Sequence, residues 1–183
     1  LWAGKRVMSS ITRFLEKKLN LKVNTNKSAV ARPWKRKFLG FTFTSPKIAK
    51  RVIAKQSVKR FKDQIRKLTR RTRGVSIEQV IKDLQYFMRG WGHYFCFCEA
   101  RDILKKLDSW VRRRLRCYLW KQWGRRGYRE LRKRGVAQRT AWSTFKAPHG
   151  PWRLSKTPAL NQALSGKYFD SLGLPRLTAI MPT

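Results

Sequence analysis

The first 54 residues show a helical hydrophobic pattern followed by a strand pattern. Apolar side chains recur at spacings of three and four over 3–19, which predicts one amphipathic helix. A short extended segment and a polar turn follow over 21–28. Strand-forming side chains fill 38–43, and a Ser-Pro pair separates them from a second apolar run at 48–53. A helix and a β-hairpin are therefore predicted.

Beyond the hairpin the hydrophobic pattern has the helical period. A narrow apolar stripe predicts a helix that ends at Gly74. Ser76 and Gln79 have the spacing of a capping box, which starts a second helix. The Gly-Trp-Gly sequence at 90–92 is predicted to end that helix. A long third helix is predicted over 100–123.

The pattern is looser after Gly124. Short helices are predicted at 128–133 and 137–145, and a loop is predicted at 147–152. The expected fold class is α+β, predominantly α, with a helix and β-hairpin, a helical bundle, and a small helical and loop region. The three regions are expected at 1–54, 55–125 and 126–183.

The long helix has two contrasting sides. At about 100° per residue, its apolar side chains fill one half of the wheel, and Arg112, Arg113 and Arg116 lie opposite them. These three arginines are predicted to form an exposed basic face. Arg114 and Lys121 fall inside the apolar half, so each is expected to extend its charge to solvent or to pair with another group.

The charge of the chain indicates a polyanion as its partner. Among 183 residues, 45 are Lys or Arg and 9 are Asp or Glu, which gives a formal net charge of +36. Like charges at this density oppose compaction unless a polyanion neutralises them. The 8 Trp, 5 Tyr and 10 Phe residues are too many for a disordered basic tail. A folded nucleic-acid binder is the first interpretation, and an anionic membrane surface is the second partner considered.

Targeting signals and membrane spans are absent from the sequence pattern. No apolar run approaches the roughly 18 residues of a membrane span, and the N-terminus lacks the apolar stretch of a signal peptide. The chain is therefore expected to be soluble and cytoplasmic, without a membrane partner.

Residue types that catalyse reactions are sparse. A polymerase or nuclease needs clustered carboxylates to hold two metal ions, whereas these acids are scattered and the first Asp is Asp63. His93 lies near Cys96 and Cys98 in an aromatic stretch, where packing is favoured over metal binding. Three cysteines without CxxC pairs are expected to be reduced thiols. No catalytic residue, metal site or cofactor is predicted here.

Basic residues beside aromatic rings carry the binding prediction. Arg and Lys neutralise phosphates, and neighbouring rings can stack on exposed bases. Trp120 and Trp123, beside Arg125 and Arg126, have that arrangement, although burial of both rings against the C-terminal region is an equal alternative. The residues predicted to contact nucleic acid are Arg60, Lys67, Arg70, Arg71, Arg73, Arg112, Arg113, Arg116, Trp120, Trp123, Arg125 and Arg126.

Four segments in order carry a family resemblance. They are LKVNTNKSAV at 21–30, KFLGF at 37–41, FMRGWGHYF at 87–95 and LDSWVRRRL at 107–115. Each is weak alone, but their order and spacing together are specific. The chain resembles the bacterial group II intron-encoded reverse transcriptases and maturases over essentially its whole length.

The resemblance implies that residues 1–54 are the end of the polymerase palm. In that family the lysine matching Lys27 approaches the phosphates of the incoming nucleotide. The hairpin that follows resembles the primer grip. The primer-grip-like residues are Phe38, Leu39, Gly40 and Phe41.

Residues 55–125 resemble the thumb, or X domain, which binds intron RNA, and 126–183 resemble a small DNA-binding region. The Tyr-x-Asp-Asp motif that supplies the family's catalytic carboxylates is expected upstream of Leu1, in a portion that also holds the Mg²⁺ of the intact enzyme. The implied partners are group II intron RNA and, for the intact enzyme, template-primer nucleic acid and target DNA.

Three functions stay open on the sequence. The first is an RNA-binding maturase segment that assists splicing by binding compact RNA better than unfolded RNA. The second is a polymerase subdomain that works only with the upstream half. The third is a generic basic RNA-binding protein without intron specificity.

Overall fold

A computed structural model describes residues 2–44 and 49–180, except for the side chain of Arg71. Most of these residues are helical, and they include a two-stranded antiparallel sheet. The predicted α+β, predominantly α class is therefore confirmed. The chain divides after Ala54 into two units, which are described separately below. The predicted Ser-Pro break and the start of the second apolar run, at 45–48, lie outside the described residues.

The first unit holds one long helix and the hairpin. Helix α1 spans Trp2–Leu19, as predicted, and none of its residues is buried. Strand β1, Phe41–Phe43, pairs antiparallel with strand β2, Arg51–Ile53, and Phe41 lies opposite Ile53. The predicted extended segment at 21–23 does not form a strand.

The predicted first strand is wrong in its N-terminal half. Phe38 and Phe41 exchange two backbone hydrogen bonds of 2.9 Å, so the chain reverses between them. Leu39 and Gly40 adopt φ angles of 48° and 80°. Two consecutive residues with positive φ are typical of the tight turns that suit a twisted hairpin, and glycine at the second position lowers their cost.

The second unit is built on three helices. Helix α2 spans Lys55–Leu68, helix α3 spans Ile77–Tyr94 and helix α4 spans Arg101–Trp123. A 3-10 turn, Arg71–Arg73, follows α2 and ends at Gly74, whose φ of 65° is left-handed. The apolar stripes of these helices form the core, which includes Phe61, Ile65, Val80, Ile81, Leu84, Met88, Leu107, Val111 and Leu115.

Helix α3 begins as predicted but ends later. The Ser76 hydroxyl accepts a hydrogen bond from the Gln79 backbone N–H at 3.3 Å, which caps the helix. The predicted break at 90–92 is wrong, because α3 continues through both glycines to Tyr94. Gly92 is buried, and a Cβ there would lie 2.6 Å from Cδ1 of Ile180. This glycine therefore admits a close neighbour instead of ending the helix.

An aromatic stack joins α2 to α3. The ring of Phe61 lies 5.4 Å from that of Phe87 and 4.5 Å from that of Trp91, and Trp91 lies 4.5 Å from Phe95. Phe61 is 1% exposed, so this stack is part of the core. Offset and tilted ring pairs of this kind stabilise a fold beyond the area that they bury.

Short helices complete the second unit. Helix α5 spans Gly127–Lys133, α6 spans Gln138–Lys146, α7 spans Pro151–Leu154, α8 spans Pro158–Ala163 and α9 spans Gly166–Ser171. The predicted loop at 147–152 is thus correct only to residue 150. A final 3-10 turn, Leu177–Ala179, packs on α4. Among the described residues, no helix is long and apolar enough to cross a membrane.

Candidate nucleic-acid interface

The few acidic residues of the chain cannot neutralise its many basic residues. Among the described residues, ion pairs join Arg66 to Asp63, Arg73 to Asp83, Arg112 to Asp108 and Asp170, Arg134 to Glu130, and Arg176 to Asp170. These pairs occupy five arginines, whereas the chain has 45 basic residues and 9 acidic ones. Most of its positive charge therefore needs an external counterion.

Several residues predicted to contact nucleic acid are exposed. In the second unit they lie on α2, just after its end, and on the turn after α4, and no carboxylate is among the hydrogen-bond partners that the structure gives them. They are Arg60, Lys67, Arg70, Arg125 and Arg126. Lys27, in the first unit, is exposed in the turn after α1, and its backbone N–H donates to the side-chain oxygen of Asn24 at 3.1 Å.

Arg73 has an internal partner. Its guanidinium donates to Oδ2 of Asp83 at 2.7 Å and to the carbonyl of Leu68 at 2.8 Å. The hydrogen bond from Arg73 is the main reason that the pKa of Asp83 lies below its ordinary value. Arg71 lies in the same 3-10 turn, and its side chain is outside the described part of the chain.

Arg112 is buried, which corrects the expectation of an exposed basic face. It donates to Oδ1 of Asp170 at 2.7 Å and lies 3.7 Å from Oδ1 of Asp108. Asp170 also accepts a hydrogen bond from Arg176. That bond is the main cause that lowers the pKa of Asp170, and the bond from Arg112 adds to it against the opposing effect of burial.

Asp108 connects this buried charge cluster to the end of the chain. Its two carboxylate oxygens accept hydrogen bonds from the backbone N–H groups of Leu177 and Thr178, at 3.0 and 3.3 Å. An aspartate that caps the first residues of a helical turn satisfies donors that have no partner within the turn. The C-terminal 3-10 turn is thereby fixed on α4.

Arg113 and Arg116 also contact the C-terminal segment. Arg113 donates to the carbonyl of Trp152 at 2.9 Å and stacks over the Trp152 ring at 3.8 Å. Arg116 donates to the carbonyl of Ser155 at 3.0 Å, and burial is the main cause that lowers its pKa. The expected exposed face of α4 is therefore wrong, because α7 and the residues after it cover these arginines.

Trp120 and Trp123 are buried as well, at 8% and 9% exposure. The guanidinium of Arg134 lies 4.6 Å from the centre of the Trp123 ring. A Cβ at Gly127 would lie 3.0 Å from the Trp120 ring, so the glycine allows this close packing. Of the two alternatives for these tryptophans, the structure has the packed one, and neither ring is placed to stack on a base.

In the second unit two other tryptophans, Trp142 and Trp152, are exposed beside basic residues and were not predicted as contacts. Trp142 on α6 is 51% exposed, lies edge-on to Tyr128, and has the Lys146 ammonium 4.9 Å from its ring centre. Trp152 on α7 is 38% exposed. The available signal was the spacing of Trp142 from Arg139 and Lys146, since residues three and four apart share a helix face.

The primer-grip-like turn is a strongly exposed apolar part of the first unit. Phe38 and Leu39 are 75% and 65% exposed, whereas Gly40 and Phe41 are half-buried. The turn therefore presents two large apolar side chains outward. Its role in holding a primer stays a prediction.

Acid and thiol groups remain scattered. Among the described residues, no three His, Cys, Asp or Glu side chains come together, and the three cysteines are not disulfide-bonded. Residues 2–44 and 49–180 thus do not fit the two-metal Mg²⁺ site that the resemblance assigns to the upstream polymerase motif.

The second unit is a cationic helical bundle whose C-terminal segment is fixed onto its longest helix. Residues 58–137 match the family model for the group II intron, maturase-specific domain. This stretch begins within α2 and ends just before α6. Residues 58–137 are therefore similar to that maturase-specific domain, and the motifs quoted above at 87–95 and 107–115 lie within this stretch. No curated protein matches the chain.

Proposed function

We propose that this chain binds group II intron RNA and assists its splicing without catalysing a reaction itself. The observation that carries the proposal is the maturase-specific domain at 58–137 within a chain of net charge +36. A rigid basic surface binds compact RNA, in which many phosphates lie close together, better than extended RNA. It therefore shifts the RNA population towards the compact form.

Exposed basic residues and exposed aromatic rings supply the two kinds of contact that RNA binding uses, which are phosphate neutralisation and base stacking. Arg60 and Lys67 on α2 and Arg70 just after it can neutralise phosphates, and Trp142 can stack on an unpaired base. The same proposal includes contacts of Arg125 and Arg126 with the RNA. It also includes contacts of the C-terminal region with target DNA. Template-primer binding by the first unit requires the upstream polymerase portion.

Binding and splicing measured together test this function. We expect the chain to bind an intron RNA more tightly than a scrambled RNA of equal length, and to raise the splicing rate at limiting Mg²⁺. Affinity should fall steeply with salt, with a log–log slope of roughly 0.7 to 0.9 per phosphate contact. Equal affinity for both RNAs with no gain in splicing would support the generic RNA-binding alternative instead.

A further inference from the structure

A pocket of about 240 Å³ lies between α2 and α4 in the second unit. We call it the α2–α4 pocket. Four basic residues line it, and no carboxylate does. Its lining residues are Arg66, Thr69, Arg70, Arg114, Cys117, Tyr118 and Lys121.

Arg114 and Lys121 are two basic residues that fall within the apolar half of α4. The structure places both at this pocket. The Arg114 guanidinium is half-buried and donates to the Thr69 hydroxyl at 3.1 Å. The Thr69 hydroxyl in turn donates to the carbonyl of Ile65 at 2.7 Å. Arg114 is therefore held in place by a neutral group, and no carboxylate is among the hydrogen-bond partners that the structure gives it.

The other lining cations add to this excess. Arg66 is paired with Asp63 at 2.6 Å, whereas Arg70 and Lys121 are exposed and have no carboxylate among their contacts in the described residues. The pKa of Arg114 is lowered, mainly by burial. Cys117 opposes this shift, and the charge of Arg66 adds to it. Cations gathered at one opening repel each other, so an anion between them removes a real cost.

Size and shape favour a phosphate group as that anion. The pocket is smaller than the roughly 300–1,000 Å³ of typical small-molecule sites. The Tyr118 hydroxyl is turned to the carbonyl of Val75 at 2.8 Å, so the donors that remain are cationic. Guanidinium groups match phosphate oxygens in geometry as well as in charge.

We propose that the α2–α4 pocket binds one backbone phosphate of the RNA, held by Arg114 and Lys121 from α4, by Arg66 from α2 and by Arg70 just after the end of α2. Thr69 is a positioning residue, since it orients Arg114 without reaching the phosphate. This inference rests on the proposed function, because it gives one site within the RNA-binding surface.

The salt dependence of RNA affinity tests the site. In the Arg70→Gln/Lys121→Gln double variant, one phosphate contact is lost, so the log–log slope should fall by about 0.7 to 0.9 and not by twice that amount. The matched control is Arg89→Gln/Lys167→Gln, which removes two exposed charges that do not line the pocket and should lower the slope clearly less. An unchanged slope in the pocket variant, or an equal fall in the control, overturns the proposal.

A pair of variants without charge change separates positioning from simple electrostatics. Thr69→Val removes the hydroxyl that holds Arg114, and RNA affinity should fall about tenfold, as expected for the loss of a hydrogen bond to a charged group. Thr69→Ser keeps the hydroxyl and should bind RNA nearly as the parent does. Equal affinity in both variants, with both folded by circular dichroism, contradicts the role given to Thr69.

Inorganic phosphate examines the pocket without RNA. In nuclear magnetic resonance spectra of the full chain, phosphate should shift the Arg114 side-chain Nε–H signal, and chloride at equal ionic strength should not. If phosphate shifts the signal but the chain does not bind RNA, the phosphate site is supported and the proposed function is refuted. If phosphate does not shift this signal, the proposal that the pocket binds phosphate is refuted. A slope change seen only with 5′-phosphorylated RNA, and absent with 5′-hydroxyl RNA, overturns the assignment to a backbone phosphate.

Discussion

The two sides of helix α4 use the same residue types in opposite ways. On one side, Arg112 and Arg116 donate to a carboxylate and to backbone carbonyls of the C-terminal segment. On the other side, Arg114 is held by a threonine hydroxyl, and Lys121 is exposed at the α2–α4 pocket. Charge alone therefore does not identify a binding surface. The difference lies in whether the chain supplies acceptors of its own.

The position of the acidic residues decides on which side of α4 the arginines have carboxylate partners. Asp108 and Asp170 both lie against Arg112, and together they bond the backbone of the last turn and Arg176. The α2–α4 pocket has no lining carboxylate. In a chain with so few acids, those that contact several partners mark the structural side of the helix.

The largest expected effect is on the structural side. Arg112→Ala leaves the buried Asp108 and the half-buried Asp170 without their central partner, so unfolding free energy should fall by about 3 to 5 kcal/mol. Urea denaturation followed by circular dichroism measures it. Arg89→Ala, on an exposed part of α3, is the control and should change stability by about 0.5 kcal/mol or less. A similar small change for Arg112→Ala would show that the buried cluster does not hold the C-terminal segment.

A pH titration tests the Asp170 ion pairs on the same side of α4. Asp170→Asn should cost about 1.5 to 3 kcal/mol near neutral pH, the range for hydrogen bonds to charged groups. The hydrogen bond from Arg176 is the main cause that lowers the pKa of Asp170 in the folded chain. Its stabilisation is therefore present above the unfolded pKa of about 3.9 and is lost as pH falls through the lower folded value. The parent and Asp170→Asn should thus converge in stability in strong acid. A constant difference down to that pH contradicts the ion pair.

The smallest expected effect is at the rim of the structural side. Trp152→Ala removes the ring under Arg113, at a cost of about 0.5 to 1 kcal/mol for an exposed cation–π contact. The thermal midpoint measures it, with Trp152→Phe as the control that keeps an aromatic ring. If the two variants melt at the same temperature, the ring stack contributes nothing beyond the hydrogen bond to the Trp152 carbonyl.

Local signals in the sequence were sufficient for the helices with clear caps or stripes. Helix α1, helix α4 and the Ser76 cap of α3 follow from spacing alone, because each depends on residues close in the chain. The Gly-Trp-Gly sequence led to a wrong prediction of the end of α3. Glycine also occurs where a neighbouring side chain packs closely, as Ile180 does on Gly92. The Leu39 turn was missed because a leucine with positive φ is rare.

The candidate site was predicted in composition but not in position. The helical wheel correctly separates the apolar half of α4 from Arg112, Arg113 and Arg116. It contains no information on α7 or on the final 3-10 turn, which cover these arginines from far along the chain. The same wheel marked Arg114 and Lys121 as exceptions, and only the packing of α2 against α4 shows that the exceptions share a pocket.

The most direct test of the contrast between the two sides compares two variants by two readouts. One is Arg112→Gln/Arg113→Gln/Arg116→Gln on the structural side, and the other is Arg70→Gln/Arg114→Gln/Lys121→Gln at the pocket. Each removes three positive charges, and melting temperature and the salt slope of intron RNA affinity are measured for both.

We expect the first variant to melt much earlier than the parent, and to bind RNA with a nearly unchanged slope below its melting temperature. The second should melt close to the parent and lose about 0.7 to 0.9 of slope, the value of one phosphate contact. The reverse pattern, with a stable first variant that loses slope and an early-melting second variant that keeps it, would contradict the assignment of both sides.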